Sequence, residues 1–162
     1  MIMSKILYVL LLFFFLSNLH AFDYLVEIHA KRKVIKTYKI DKNQEFISFT
    51  LEGTFTDNLG NYGVFDNAST VILKNNSVIE LLGYGKRIYQ NKEELYVRGY
   101  RNKQEKDTGV GGSQVVETTK QLEGLIGMKC KYAVKFFEDN AYFLQKCDIS
   151  EKQKSILTNL AK

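Results

Sequence analysis

Few side chains in this sequence are suited to covalent or acid–base chemistry. There are two cysteines, Cys130 and Cys147, and beyond residue 21 the one histidine is His29. A cysteine or serine nucleophile needs a neighbouring base, and His29 alone could supply an imidazole for that role. The acidic residues at 93–94 and 117 fall at the ends of predicted strands, where carboxylates are usually solvated. We therefore predict no catalytic residue and regard an enzyme as the less favoured class.

Two segments resemble ligand-binding loops only in part. Residues 57–63 (D-N-L-G-N-Y-G) offer oxygen ligands, but an EF-hand would have glycine in place of Tyr62 and glutamate in place of Ala68. Residues 109–113 (G-V-G-G-S) lack the lysine of a phosphate-binding loop. We interpret the first segment as a hairpin loop and the second as a bend that leads into a strand. The sequence predicts no metal site and no cofactor.

A group of aromatic and basic residues is the best candidate for ligand binding. Tyr96, Arg98 and Tyr100 share one face of a predicted strand, because side chains of a strand alternate between its two faces. If that face lines a barrel lumen, it could hold an amphipathic molecule with an acidic head. The alternative is ordinary aromatic packing beside an exposed arginine.

Hydrophobic and polar residues alternate through most of the chain, as at residues 24–29 (Y-L-V-E-I-H), 49–56 and 131–136. A period of two predicts strands with one buried face and one solvated face. Further strands are expected near Val34–Ile40, Ser69–Lys74, Val78–Tyr89, Glu94–Arg101 and Ser113–Thr119. Turns rich in asparagine and glycine separate them, and the longest predicted break is Asn102–Gly112. The pattern favours an all-β fold over mixed α/β: an antiparallel up-and-down barrel of about eight strands, or a sandwich. A closed barrel would also remove the exposed edges of long apolar strands.

The last residues change from a strand period to a helix period. Ser150 followed by Gln153 is a capping-box start, and Ile156, Leu157 and Leu160 fall on one helical face. So short a helix must dock on the barrel to be stable. We expect a signal peptide at 1–21, a β-barrel domain at 22–149 and this C-terminal helix at 150–162.

The two cysteines fall on neighbouring predicted strands. If residues 138–139 form a two-residue turn, Phe137 lies opposite Asn140 and Cys130 lies directly opposite Cys147. Opposed residues of antiparallel strands have Cα atoms ~4.5–5.5 Å apart, within the range of a disulfide. A three-residue turn would leave the cysteines diagonal, and two unrelated thiols are the other alternative.

Residues 1–21 have the three parts of a secretory signal peptide. Residues 1–5 are basic, residues 6–16 are an unbroken apolar run, and residues 17–21 are more polar and end at Ala21. Eleven helical residues span only ~16 Å, about half of a hydrocarbon core, so a cleaved signal is favoured over an anchor. We expect a periplasmic or secreted protein without stable membrane insertion after cleavage. Such a compartment favours a disulfide.

The net charge of the chain is +5. The basic residues are spread along the sequence, which indicates a solvated surface; weak attraction to an anionic lipid or polymer is the alternative. Lys129, Lys131 and Lys135 are expected to form one outward row on a strand, with Lys146 across the hairpin. No nucleic-acid-binding motif is present, so a nucleic-acid partner is not expected.

A set of glycine and turn motifs carries a family resemblance. They are residues 53–63 (G-T-F-T-D-N-L-G-N-Y-G), 109–111 (G-V-G), 122–127 (L-E-G-L-I-G) and 130–132 (C-K-Y). The set resembles small exported bacterial proteins of the allene oxide cyclase barrel-like type, which implies an eight-stranded calycin-like barrel. The resemblance does not imply the cyclase activity, because the plant enzymes use a proline in their site and this chain has none.

The favoured hypothesis is an exported β-barrel that acts as a binding or interaction module for a small apolar or amphipathic molecule. The alternative is a structural, envelope-associated protein with a filled barrel. A cyclase or isomerase that works by binding and shape is the third hypothesis. The sequence indicates neither the ligand nor the oligomeric state.

Overall fold

The computed structural model describes residues 22–161, so the predicted signal peptide lies outside the described residues. Eight strands follow one another: β1 Phe22–Lys39, β2 Gln44–Asp57, β3 Tyr62–Lys74, β4 Ser77–Tyr89, β5 Glu94–Glu105, β6 Thr108–Thr118, β7 Lys129–Phe137 and β8 Asn140–Ile149. Each pairs antiparallel with its neighbour in sequence, and β8 pairs with β1 to close a barrel. An α-helix, α1 (Glu151–Thr158), comes after the last strand. The predicted eight-stranded up-and-down barrel with a short C-terminal helix is confirmed.

Alternation along each strand divides the barrel into a lumen and an outer face. In β1, for example, Tyr24, Val26 and Ile28 are buried, whereas Glu27 and His29 are exposed. His29 packs its ring against Tyr142 on the outside of the barrel, with the ring centroids 5.1 Å apart. The single histidine of the described chain is therefore an outer-face residue.

The helix closes one end of the barrel. Ser150 and Gln153 form the predicted capping box, in which each side chain bonds to the other residue's backbone N–H. Leu157 and Leu160 are buried and join the core with Leu122 and Leu125. The last two belong to a short 3-10 helix, Lys120–Leu125, between β6 and β7. Burial of these four leucines attaches a helix that is too short to be stable alone.

The hairpin of β5 and β6 corrects one prediction. The expected break at Asn102–Gly112 is wrong, because β5 continues to Glu105 and β6 begins at Thr108. Three glycines of this segment lie inside β6, and aromatic rings cover two of them. A Cβ atom at Gly111 would overlap the ring of Tyr132, and one at Gly112 would overlap the ring of Tyr100. Here glycine makes room for a ring and does not mark a bend.

The β7–β8 hairpin has the predicted register. Phe137 pairs with Asn140 across a two-residue turn, and Cys130 pairs with Cys147. Glu138 has the positive φ of 54° that such a turn requires. The two cysteines form a disulfide, with Cα atoms 4.2 Å apart and a sequence separation of 17. The disulfide lies near α1, at the closed end of the barrel.

We expect removal of this disulfide to destabilise the barrel. The double variant Cys130→Ser/Cys147→Ser should lose about 3 kcal/mol in free energy of unfolding, since a loop of this length constrains the unfolded chain by about that amount. Urea unfolding with and without a reductant measures the difference. The reductant should lower the midpoint of the unaltered protein and leave that of the double variant unchanged. Equal midpoints for the unaltered protein and the double variant in the absence of a reductant would contradict the prediction.

Candidate ligand-binding lumen

The barrel encloses two adjoining cavities. The lower one, nearer the closed end, has a volume of about 70 Å³, and the upper one has about 100 Å³. Both are lined by Phe49, Leu81, Arg101 and Phe136, which form a neck between them. One water molecule needs roughly 10–15 Å³ by this measure, so each cavity has room for several.

Polar side chains gather in the lower cavity. They are Asn67, Ser69, Arg87, Arg101, Ser113, Tyr132 and Gln145. Three of them form a hydrogen-bonded chain, in which Arg87 Nη2 donates to Gln145 Oε1 and Gln145 Nε2 donates to Ser113 Oγ. Since these residues come from β4, β8 and β6, the chain links strands from different sides of the barrel. The two cations have no acidic neighbour in the lining, which contains no aspartate, glutamate or histidine among residues 22–161.

Arg87 and Arg101 are buried cations with unused hydrogen-bond donors. Their exposed fractions are 1% and 2%, and neither takes part in an ion pair within the described chain. Arg101 Nη2 donates to the carbonyl of Lys106 at 3.0 Å, but its Nε and Nη1 have no acceptor, nor has Nε of Arg87. Burial lowers the pKa of Arg101, which reflects the unfavourable free energy of a guanidinium removed from water.

The register of β5 decides which arginine enters the lumen. Leu95, Val97, Gly99 and Arg101 face inward, and the residues between them face outward. The predicted lumen position of Tyr96, Arg98 and Tyr100 is therefore wrong.

Tyr96, Arg98 and Tyr100 lie on the outer face of β5. Tyr100 is 51% exposed and Arg98 is exposed, while Tyr96 donates to Glu94. An offset of one residue exchanges the two faces of a strand. Leu95 and Val97, the most apolar pair of the strand, carried the signal that could have identified the inner face and with it Arg101.

Glycine makes part of the cavity. Gly83 and Gly99 face each other as a pair on β4 and β5, and both line the lower cavity. A Cβ atom at Gly99 would have no atom within 4 Å, whereas one at Gly83 would overlap the Ser69 side chain. The space beside Gly99 is therefore open because a side chain is missing there.

The upper cavity has a different character. Its walls are apolar and include Val34, Ile47, Val71, Leu73 and Val78. At its rim are Lys106 and Arg32, whose guanidinium lies 4.9 Å from the centre of the Phe136 ring. The upper cavity thus combines apolar walls with basic side chains at its rim, and the lower cavity contains most of the uncharged polar side chains.

Below the cavities a closed polar network forms the floor. Tyr24 donates to Asp57 at 2.7 Å and lies 3.4 Å from the hydroxyl of Tyr89. Burial raises the pKa of both tyrosines, and the charge of Asp57 raises it further. Asp57 also accepts from the backbone N–H groups of Leu59 and Asn61. With its acceptors in use, this network stabilises the closed end and offers no free group to a ligand.

Comparison of the chain with protein-family models, curated proteins and solved structures finds no match. The resemblance to allene oxide cyclase barrel-like proteins therefore stays a prediction. Within residues 22–161, no cluster of three or more His, Cys, Asp or Glu side chains could hold a metal ion. Over the same residues, no helix is long and apolar enough to cross a membrane.

Tyr132 gives the lumen a measurable pH dependence. Burial raises its pKa from 10.0 to about 12, and Arg101 opposes part of this rise. The unfolded chain therefore ionises first, and stability that is fully present below pH 10 decreases as the pH rises toward 12. Tyr132→Phe removes this ionisation. Between pH 9 and pH 11.5 the variant should lose about 2 kcal/mol less in free energy of unfolding than the unaltered protein.

Urea unfolding at the two pH values tests this expectation. The matched control is Tyr84→Phe, which alters a tyrosine that is more than half exposed on the outer face. The control should lose as much stability as the unaltered protein. The same loss in Tyr132→Phe would show that Tyr132 does not contribute to the alkaline sensitivity.

Proposed function

We propose that this protein is an exported β-barrel that binds a small amphipathic molecule with an acidic head in its lumen. The observation that supports this proposal is the pair of buried guanidiniums, Arg87 and Arg101, which have unused donors and form no ion pair among the described residues. In folded proteins, buried charges are normally paired and buried donors normally have acceptors. An anionic ligand would supply both the missing charge and the missing acceptors.

The guanidinium is well suited to an acid. It presents its N–H donors in a planar fork that matches a carboxylate, and it stays charged even when burial lowers its pKa. Arg87 and Arg101 both line the lower cavity, where the acidic head would bind. The amide of Gln145, held by Arg87 and Ser113, adds a neutral polar neighbour.

The polarity of the lumen suggests how the ligand is oriented. The acidic head would occupy the lower cavity and the apolar part would pass the neck at Phe49 and Leu81 into the upper cavity. The volumes of about 70 and 100 Å³ indicate a small molecule. For comparison, an apolar cavity of ~150 Å³ binds benzene. An aromatic acid or a short-chain aliphatic acid fits these limits.

Two features support the proposed export. The sequence pattern of residues 1–21 is that of a signal peptide, and a disulfide such as Cys130–Cys147 is typical of proteins in oxidising compartments. A periplasmic or extracellular location would bring the barrel into contact with small molecules outside the cytoplasm.

The other hypotheses receive less support. A filled, purely structural barrel does not agree with two internal cavities. A cyclase or isomerase would need a group that moves a proton, and Tyr132, with its pKa raised to about 12, is poorly suited to do so near neutral pH. Binding is therefore favoured over catalysis.

Calorimetric titration with octanoate, and with 1-octanol as the uncharged analogue, tests the role of the arginines. The unaltered protein should prefer octanoate by at least about tenfold, since a hydrogen bond to a charged group contributes ~1.5–3 kcal/mol. Arg87→Met and Arg101→Met should each reduce that preference because they remove an N–H fork at similar side-chain length. Native mass spectrometry of each sample checks that one ligand binds per chain.

Arg98→Met is the matched control, since it makes the same chemical change on the outer face of β5. It should keep the affinity and the preference of the unaltered protein. Equal affinities for octanoate and 1-octanol, or equal losses in Arg98→Met and Arg101→Met, would overturn the proposal. Thermal unfolding of each variant confirms that the barrel has formed.

Gly99→Leu tests the location of the ligand without a change of charge. The added side chain would enter the open space beside Gly99 and fill part of the lower cavity. We expect octanoate affinity to fall at least tenfold while the melting temperature stays the same or rises, because cavity filling adds apolar contacts. Unchanged affinity in a folded Gly99→Leu protein would place the ligand outside the lower cavity.

A further inference from the structure

Strand β1 of the β1–β2 hairpin continues past the end of β8. The pairing of β1 with β8 ends at Lys31, but its pairing with β2 continues to Lys39. Residues 33–39 therefore have a strand partner on one side only and extend about 23 Å at ~3.3 Å per residue. We call residues 31–45 the basic hairpin.

The basic hairpin has as much net charge as the whole chain beyond residue 21. Residues 22–162 contain 22 basic and 18 acidic residues, a net charge of +4. Residues 31–45 alone contain six basic and two acidic residues, which is also +4. The rest of the barrel and helix is thus neutral overall. The expectation of an even spread of basic residues is wrong, because six of them fall within fifteen consecutive positions.

The same hairpin exposes large apolar side chains among its lysines. Ile35, Tyr38 and Ile40 are 56%, 56% and 55% exposed, and Val34 is about half exposed. Lys36 lies over the ring of Tyr38, with Nζ 5.5 Å from its centre. These large apolar side chains do not contribute to the barrel core. Grouped on one hairpin, they form an exposed patch that is available for contact with another molecule.

We propose that the basic hairpin docks on the surface of an anionic lipid bilayer. Lysines interleaved with aliphatic and aromatic side chains match such a surface in both charge and hydrophobicity. The lysines meet the lipid phosphates, and Ile35, Tyr38 and Ile40 enter the headgroup region. A soluble polyanion would use the lysines but gain nothing from the apolar side chains.

The basic hairpin lies next to the upper cavity of the lumen. Val34, in the hairpin, also lines the upper cavity, and Arg32 lies at its rim. Docking would hold the mouth of the lumen against the lipid. The inference does not depend on lumen binding, because the charge and the exposed residues of the hairpin are independent of the cavities.

Flotation of the chain that begins at Phe22, which contains every strand of the closed barrel, tests the inference. The protein should bind vesicles of phosphatidylcholine with 30% phosphatidylglycerol, release in 0.5 M NaCl, and bind pure phosphatidylcholine at least tenfold more weakly. Lys36→Glu/Lys39→Glu should weaken binding to the anionic vesicles by at least about thirty-fold. Lys120→Glu/Lys152→Glu makes the same change of net charge at the closed end and should stay within threefold of the unaltered protein.

A second pair of variants separates a lipid surface from a polyanion. Ile35→Ser/Ile40→Ser should reduce vesicle binding by about tenfold and leave binding to dextran sulfate unchanged. Absence of vesicle binding by the unaltered protein would overturn the proposal. So would equal losses in the two lysine variants, or vesicle binding that does not change in Ile35→Ser/Ile40→Ser. The last result would assign the hairpin to polyanions.

Discussion

Closure of the barrel by β1 and β8 is the constraint on which the other features of this protein depend. Ten consecutive residue pairs, from Phe22–Ile149 to Lys31–Asn140, join the first strand to the last. In an open sheet, a slip of one residue exposes one hydrophobic face and buries a polar one; in a closed barrel the slip would also have to pass through every other strand. The closure therefore determines which side chains enter the lumen and leaves each strand little freedom to change.

This constraint explains how the lumen can contain two unpaired cations. Neither Arg87 nor Arg101 can turn to solvent without reversing its strand, and the cavity that both line contains no acidic side chain among the described residues. A barrel with a disulfide at its closed end and four buried leucines beneath the floor has enough stability to tolerate that unfavourable burial. Buried unpaired charges lower the stability of the protein without a ligand, and a bound anion would offset that loss. Binding sites commonly show this exchange of stability for function.

The features predicted correctly from the sequence are those governed by local rules. The turn at 138–139 determines the pairing of Cys130 with Cys147, and the capping box at Ser150 determines where α1 begins. The inner face of β5 was missed because aromatic residues suit both faces of a sheet, and there the aliphatic pair Leu95 and Val97 was the better guide. The hairpin charge was missed for another reason: six of its fifteen residues are basic, but only the strand pairings show that they lie together on a hairpin whose β1 edge has no partner.

The proposed lipid-binding surface originates in the difference in length between β1 and β8. β1 has 18 residues and β8 has 10, so the second half of β1 has an unpaired edge. Such an edge invites pairing with other chains, and charged side chains are a common protection against it. Lysine is the charged residue most often used for this protection, and residues 33–39 contain three lysines and no acid. Edge protection accounts for the lysines but not for the exposed Ile35 and Tyr38 between them, whereas contact with an anionic lipid surface accounts for both.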